Sequence, residues 1–167
     1  IWLISFTLVG ALAIGWIALP SALPTFHLFF SDFAHMKVWL ATVVIVLASG
    51  QLLWAARMFE LVRFAPGGRF YSIVHRSAGW IILLVTLPIA YHCIILVGLR
   101  PLDTRLLVHM ALGAFFYGMF VTKVFLVRSS GTPGWLLAVA GGMVLAVLLG
   151  LWLTSVPWFI STYGLSL

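Results

Sequence analysis

Five long apolar runs, separated by short polar segments, make up nearly the whole chain. Each is close to the roughly 20 residues that an α-helix needs to cross the hydrocarbon core of a bilayer. Because the runs are continuously apolar rather than alternating, helices are favoured over a membrane β-barrel. The sequence predicts an all-α membrane protein with a single domain over residues 1–167 and five transmembrane helices, at about 1–19, 35–62, 72–99, 104–127 and 133–153.

The composition supports a membrane location. Hydrophobic residues make up 64% of the chain and charged residues only 7%, whereas soluble domains carry roughly 25% charged residues. The mean hydropathy is +1.22. A chain with so few charges cannot cover a water-facing surface, so its expected environment is the lipid bilayer.

The basic excess indicates an orientation rather than a nucleic-acid partner. The net charge is +6, and most basic residues fall at the helix ends on one side, here named the inner end: Arg57, Arg63, Arg69, Arg76, Lys123 and Arg128. The opposite side, the outer end, carries Lys37, Arg100 and Arg105. By the positive-inside rule we expect a cytoplasmic N-terminus and an external C-terminus. We therefore exclude nucleic acid as a partner.

Five histidines are the informative polar residues. Tracing the predicted helices places His35, His92 and His109 at one level near the outer end, and His75 near the inner end. His27 lies in the loop after the first predicted helix. Intramembrane ionisable residues mark functional sites by default, so the three outer histidines form the candidate site.

His35 and His109 are the best-placed pair. Their helices run in the same direction and would be diagonally opposite in a bundle of consecutive antiparallel helices. Two neutral imidazoles facing each other across an apolar core suit a six-coordinate haem iron. Gly113, one turn after His109, would leave room for a flat macrocycle, although a small residue at a membrane helix contact is equally ordinary.

Other interpretations of these residues stay open. His35, His92 and His109 with a nearby aspartate could hold zinc, or each histidine could simply be hydrogen-bonded to a neighbouring helix. The second interpretation is favoured for His27 and His75. Lys123 could contribute to a quinone or anionic-lipid site at the inner end, but snorkelling to lipid headgroups is favoured there.

Several strings resemble an uncharacterised bacterial membrane family that looks like a relative of the cytochrome b561 proteins. They are "HMKVWLA" from His35, "HRSAGW" from His75, "LPIAYHC" from Leu87, "HMALGAFFYGMFVTK" from His109 and "GLWLTSVPWF" from Gly150. The resemblance implies a four-helix haem-binding core in the bacterial cytoplasmic membrane. In that family the first and third core helices bind one haem, and the second and fourth bind another near the opposite face.

The resemblance assigns His35 and His109 to the first haem and His75 to the second. The expected partner of His75 would lie near Trp135 to Val139, where no histidine occurs. We therefore expect one haem b and no second haem. Cys93 is the only cysteine, so a covalent Cys-x-x-Cys-His attachment is impossible. In this scheme His92 is an alternative iron ligand or a partner of a haem propionate.

These observations favour a b-type cytochrome that transfers single electrons near the outer face. Two histidine ligands leave the iron no open position for oxygen. The short loops favour a subunit of a larger redox complex over a stand-alone enzyme. A quinol or another redox subunit would be the donor, and a cytochrome c or Rieske protein the acceptor. The alternatives are a zinc-dependent membrane hydrolase and a non-redox anchor or assembly subunit.

Overall fold

The computed structural model describes residues 24–62, 69–98 and 103–164. Within these ranges the regular structure is entirely helical: α1 spans Phe33–Met58, α2 Arg69–Ala90, α3 Thr104–Arg128 and α4 Gly134–Tyr163, with a π-helical segment at Tyr91–Val97 directly after α2. The four helices, α2 together with most of its π-helical extension, are each long and apolar enough to cross a bilayer. The predicted helix at residues 1–19 lies outside the described residues.

The predicted helix at 104–127 is confirmed almost to the residue, and the boundaries of the others shift for identifiable reasons. α1 begins at Phe33 because Asp32 caps it, its Oδ1 accepting hydrogen bonds from Ala34 N at 2.7 Å and His35 N at 2.9 Å. Asp103 caps α3 in the same way, accepting from Leu106 N at 2.6 Å. The prediction that α1 extends to residue 62 was wrong, since the helix ends at Met58 and Glu60 has a positive φ of 59°.

The largest error concerns α4, which was predicted to end near residue 153 and instead continues through Pro157 to Tyr163. A proline lacks the N–H that would bond the carbonyl four residues earlier, so it normally signals a helix end. Here Arg105 Nη1 donates to the Thr154 carbonyl at 2.8 Å, which supports the backbone next to the interruption. Neighbouring helices often stabilise prolines in membrane helices in this way.

The core is built at mid-bundle from all four helices. Its buried residues are Val44, Ala48, Ile82, Phe116, Met119, Val144, Val147 and Leu148. α1 packs mainly against α2 and α4, and α4 packs also against α3. α1 and α3 therefore lie on different sides of α4, and both present their outer ends to the outer third of α4.

Candidate functional site

His109 is held against α4 in a defined orientation. Its Nδ1 lies 2.9 Å from Thr154 Oγ1. The Thr154 hydroxyl donates its own proton within α4, at 2.8 Å from the Gly150 carbonyl and 3.1 Å from that of Leu151. Since that proton is committed, we assign His109 Nδ1 as the donor, which leaves the lone pair of the neutral ring on Nε2.

Arg105 lies one turn before His109 on α3 and contacts the same residue of α4. Its Nη1 donates to the Thr154 carbonyl at 2.8 Å, its guanidinium carbon lies 4.1 Å from the Trp158 ring centroid, and its Nη2 is 3.7 Å from Asp103 Oδ2. Thr154 thus receives one hydrogen bond on its hydroxyl and one on its carbonyl from α3. Neither Arg105 nor Thr154 was predicted as a site residue from the sequence, although the spacing of Arg105 and His109 places these two side chains on one face of α3.

His35 is oriented by the residue that caps its own helix. Its Nδ1 lies 2.7 Å from Asp32 Oδ2, and its ring meets Phe159 of α4 edge to face with centroids 5.1 Å apart. Hydrogen bonds to the Asp32 carboxylate hold its pKa below the usual range, first the bond from the His35 backbone N–H and then the bond from the His35 ring. The capping carboxylate therefore stays charged beside the imidazole at neutral pH.

His35 and His109 reach α4 at different positions. Their partners Phe159 and Thr154 are five residues apart, which is about 7.5 Å along the helix and about 140° around it. His35 lines a cavity of about 170 Å³ between α1 and α4, whose walls include Trp39, Trp152 and Phe159. Beside it on α1, Met36 is fully buried at 0% exposure.

The donor chemistry at this end fits haem, but the free space is small. Ligating histidines almost always donate the second ring N–H to a carboxylate or another protein oxygen, and Asp32 and Thr154 provide such partners. Pockets for cofactors are typically about 300–1,000 Å³, which exceeds the cavity of about 170 Å³ at His35. A macrocycle at His35 would require α1 and α4 to separate at their outer ends.

His92 is held by bonds at both ring nitrogens. Nδ1 donates to the Pro88 carbonyl at 2.9 Å, and Nε2 accepts from Phe26 N at 3.4 Å. The side chain is only 1% exposed, and its ring contacts the rings of Phe26, Phe33 and Tyr91. These contacts fasten the segment before α1 to the π-helical end of α2, which is a sufficient structural role for this histidine.

The remaining candidates lie in different surroundings. Gly113 faces α4, where an added Cβ would lie 3.9 Å from Leu151 Cδ2, an ordinary packing distance. His27, in the exposed loop, donates from Nδ1 to the Phe30 carbonyl at 2.6 Å. Among the residues that the structure describes, no group of three or more histidine, cysteine or acidic side chains could hold a metal ion, which counts against the zinc alternative.

A second polar region lies toward the inner end, between the four helices. Lys123 and Gln51 line a cavity of about 50 Å³, and His75 lies within electrostatic reach of Lys123. Gln51 Oε1 and His75 Nδ1 are both buried without a hydrogen-bond partner. Gln51 was not identified from the sequence, since a single amide in an apolar helix carries no distinctive spacing.

Comparison with known proteins gives a family but no activity. No curated protein matches the chain, and no solved structure does. One family model matches residues 3–167, nearly the entire sequence, and is described as a family of unknown function. The chain therefore belongs to the DUF6529 family.

Proposed function

We propose that this protein is a b-type cytochrome subunit that passes single electrons through one non-covalent haem b near the outer end of the bundle. His109 and His35 would be the axial ligands, and His92 the alternative to His35. Bound between two histidines, haem b supplies one-electron transfer without an open coordination position. The observation that carries the proposal is that both ligand candidates have Nδ1 bonded to a protein oxygen, Asp32 Oδ2 at 2.7 Å and Thr154 Oγ1 at 2.9 Å.

The protein's own residues would orient these ligands. Thr154 fixes the tautomer and the direction of the His109 ring, while Arg105 fixes the backbone that carries Thr154. Asp32 performs the corresponding role for His35 and is charged above its lowered pKa. Hydrogen-bonded partners of this kind raise ligand basicity and help set a redox potential. The expected setting is a bacterial cytoplasmic membrane with the N-terminus inside, and the expected partners are a quinol or a cytochrome c or Rieske subunit.

The test is a reduced-minus-oxidised visible spectrum of the full chain, inserted into membranes with haem available and purified in detergent. Iron and zinc are quantified on the same sample. We expect sharp α and Soret bands with about one iron per chain, lost in His109→Ala and His35→Ala. His27→Ala is the matched control, because its ring is bonded only within the exposed loop, and it should keep the bands.

Other outcomes discriminate between the candidates. If the bands survive His35→Ala but vanish in His92→Ala, the protein is still a b-type cytochrome, and His92 rather than His35 is the second iron ligand. A colourless, iron-free preparation would refute it and favour an anchor or assembly subunit. That rival is supported by His27, His35, His92 and His109, whose Nδ1 atoms all bond to oxygens of this chain. It predicts that His109→Ala lowers stability and changes nothing else.

A further inference from the structure

In the part of the chain that the structure describes, the Lys123 ammonium lies between the helices and forms no ion pair with a carboxylate. Its Nζ would lie 3.7 Å from a Cβ built at Gly141, seven residues into α4, or about 10 Å along the axis from the start of that helix. Within the described ranges, the carboxylates in ion pairs are Asp32 and Asp103, both at the outer end. Snorkelling to lipid headgroups does not describe this side chain, since its Nζ lies near Gly141 of α4 and lines a cavity to which all four helices contribute.

The groups around Lys123 also lack partners. Gln51 Oε1 and His75 Nδ1 are buried and unbonded, and buried side-chain polar atoms are bonded in the large majority of cases. Glycines leave space beside the ends of the Gln51 and Lys123 side chains. A Cβ built at Gly79 would lie 3.6 Å from Gln51 Nε2, and one built at Gly141 would lie 3.7 Å from Lys123 Nζ. All four helices contribute to this arrangement.

The size of the cavity restricts what can occupy it. One water needs roughly 10–15 Å³ of such volume, so a cavity of about 50 Å³ accommodates roughly three to five molecules or ions of the size of water. A quinone ring or a lipid headgroup is too large. The ammonium and the Gln51 amide N–H groups are donors that suit an anion, while Gln51 Oε1 and His75 Nδ1 suit water.

We propose that the cavity between Gln51 and Lys123 binds a small monovalent inorganic anion, such as chloride, together with ordered water. The anion neutralises Lys123 in the apolar bundle, where an unpaired charge is costly. The water completes the hydrogen bonding of Gln51 Oε1, which lines the cavity. The site lies toward the end of the bundle opposite His109, and the inference does not depend on haem binding.

The test compares melting temperatures of the full chain in detergent, with chloride replaced stepwise by gluconate at constant ionic strength. Ligand binding to the folded state stabilises it by mass action. At a chloride concentration about 100 times the dissociation constant, the melting temperature should rise by roughly 5–10 °C. Broadening of the chloride NMR signal on adding protein gives an independent measure of binding.

Gln51→Glu is the decisive variant, since it places a carboxylate beside Lys123. We expect it to melt, without chloride, near the temperature of the chloride-saturated wild type and to lose the chloride response. Lys123→Met should also lose the rise in melting temperature with chloride, and it replaces Gln51→Glu as the test variant if Gln51→Glu does not fold. Lys37→Met removes the outer-end lysine that lies over the Phe33 ring and should respond like the wild type. A wild type without chloride-specific stabilisation, or an equal response in all variants, would overturn the proposal.

Discussion

The two ends of the bundle differ in whether their polar side chains have hydrogen-bond partners within the chain. At the outer end, Asp32, His35, Arg105, His109 and Thr154 form a set, here named the outer cluster, in which each member has a partner within the chain. At the inner end, Gln51, His75 and Lys123 leave polar atoms unbonded or a charge unpaired in the described structure. A polar network in which every group is hydrogen-bonded makes a bundle rigid and structurally specific. A network with unbonded groups needs a bound water, ion or other ligand to complete its hydrogen bonds. Substitutions at the two ends should therefore have different consequences.

The largest contrast is expected between two basic residues of α3. Arg105→Ala should destabilise the protein by about 2–4 kcal/mol, because it removes a charged hydrogen bond to the Thr154 carbonyl and the contact with the Trp158 ring. In chloride-free buffer, Lys123→Met should cause no loss of stability, since it removes an uncompensated charge. SDS titration in mixed micelles measures both. An equal loss of unfolding free energy in Arg105→Ala and Lys123→Met would contradict the proposed difference between the two ends.

Thr154→Val is expected to be the next largest effect. Valine keeps the shape but cannot accept from His109 Nδ1, so this partly buried donor loses its partner at a cost of about 1–3 kcal/mol. Thr154→Ser retains the hydroxyl and is the control. If haem is bound, Thr154→Val should also shift its midpoint potential, whereas Thr154→Ser should not. If Thr154→Val changes neither the stability nor the midpoint potential, Thr154 does not orient His109 as proposed.

The sequence predicted the helices well and the polar contacts only in part. Apolar runs located α1 and α3, because the length of an apolar run is a local property of the sequence. The prediction for α4 ended too early, because the helix continues through Pro157, where Arg105, 49 residues away in sequence, donates to the Thr154 carbonyl. Thr154 is visible only once α3 and α4 are packed together. His35, His92 and His109 were correctly placed near one end, but their separate partners depend on side-chain directions that spacing alone does not determine.

Asp32 should give the outer end a modest dependence on pH. Its pKa is lowered in the folded protein, chiefly by the hydrogen bond from His35 N. A carboxyl with a lowered folded pKa adds stability above its ordinary pKa, and that stability is lost as the pH falls through the folded value. The free energy of unfolding, measured from about pH 6 to 3, should therefore fall for the wild type and change less for Asp32→Asn.

The same position permits a check on the cap itself. Asp32→Ala should cost about 1 kcal/mol at neutral pH, because Ala34 N and His35 N lose their acceptor. Asp32→Asn keeps an acceptor and should lose less. The carboxylate is about half exposed, at 49%, so solvent screens its charge and the pH effect is small. If the unfolding free energy depends more steeply on pH in Asp32→Asn than in the wild type, titratable groups other than Asp32 cause the loss of stability at low pH.

The smallest change is expected at Gly113, where it is most informative about haem. A Cβ at Gly113 would meet Leu151 Cδ2 at 3.9 Å, whereas one at Gly150 would meet Leu112 Cδ1 at 2.9 Å. Gly113→Ala should thus be neutral or stabilising by up to about 1 kcal/mol, given the higher helix propensity of alanine, while Gly150→Ala requires Leu112 to move. If a macrocycle lies against Gly113, Gly113→Ala should instead lower the amount of bound haem. Normal haem content in this variant, with loss in His109→Ala, would show that the macrocycle does not lie against Gly113.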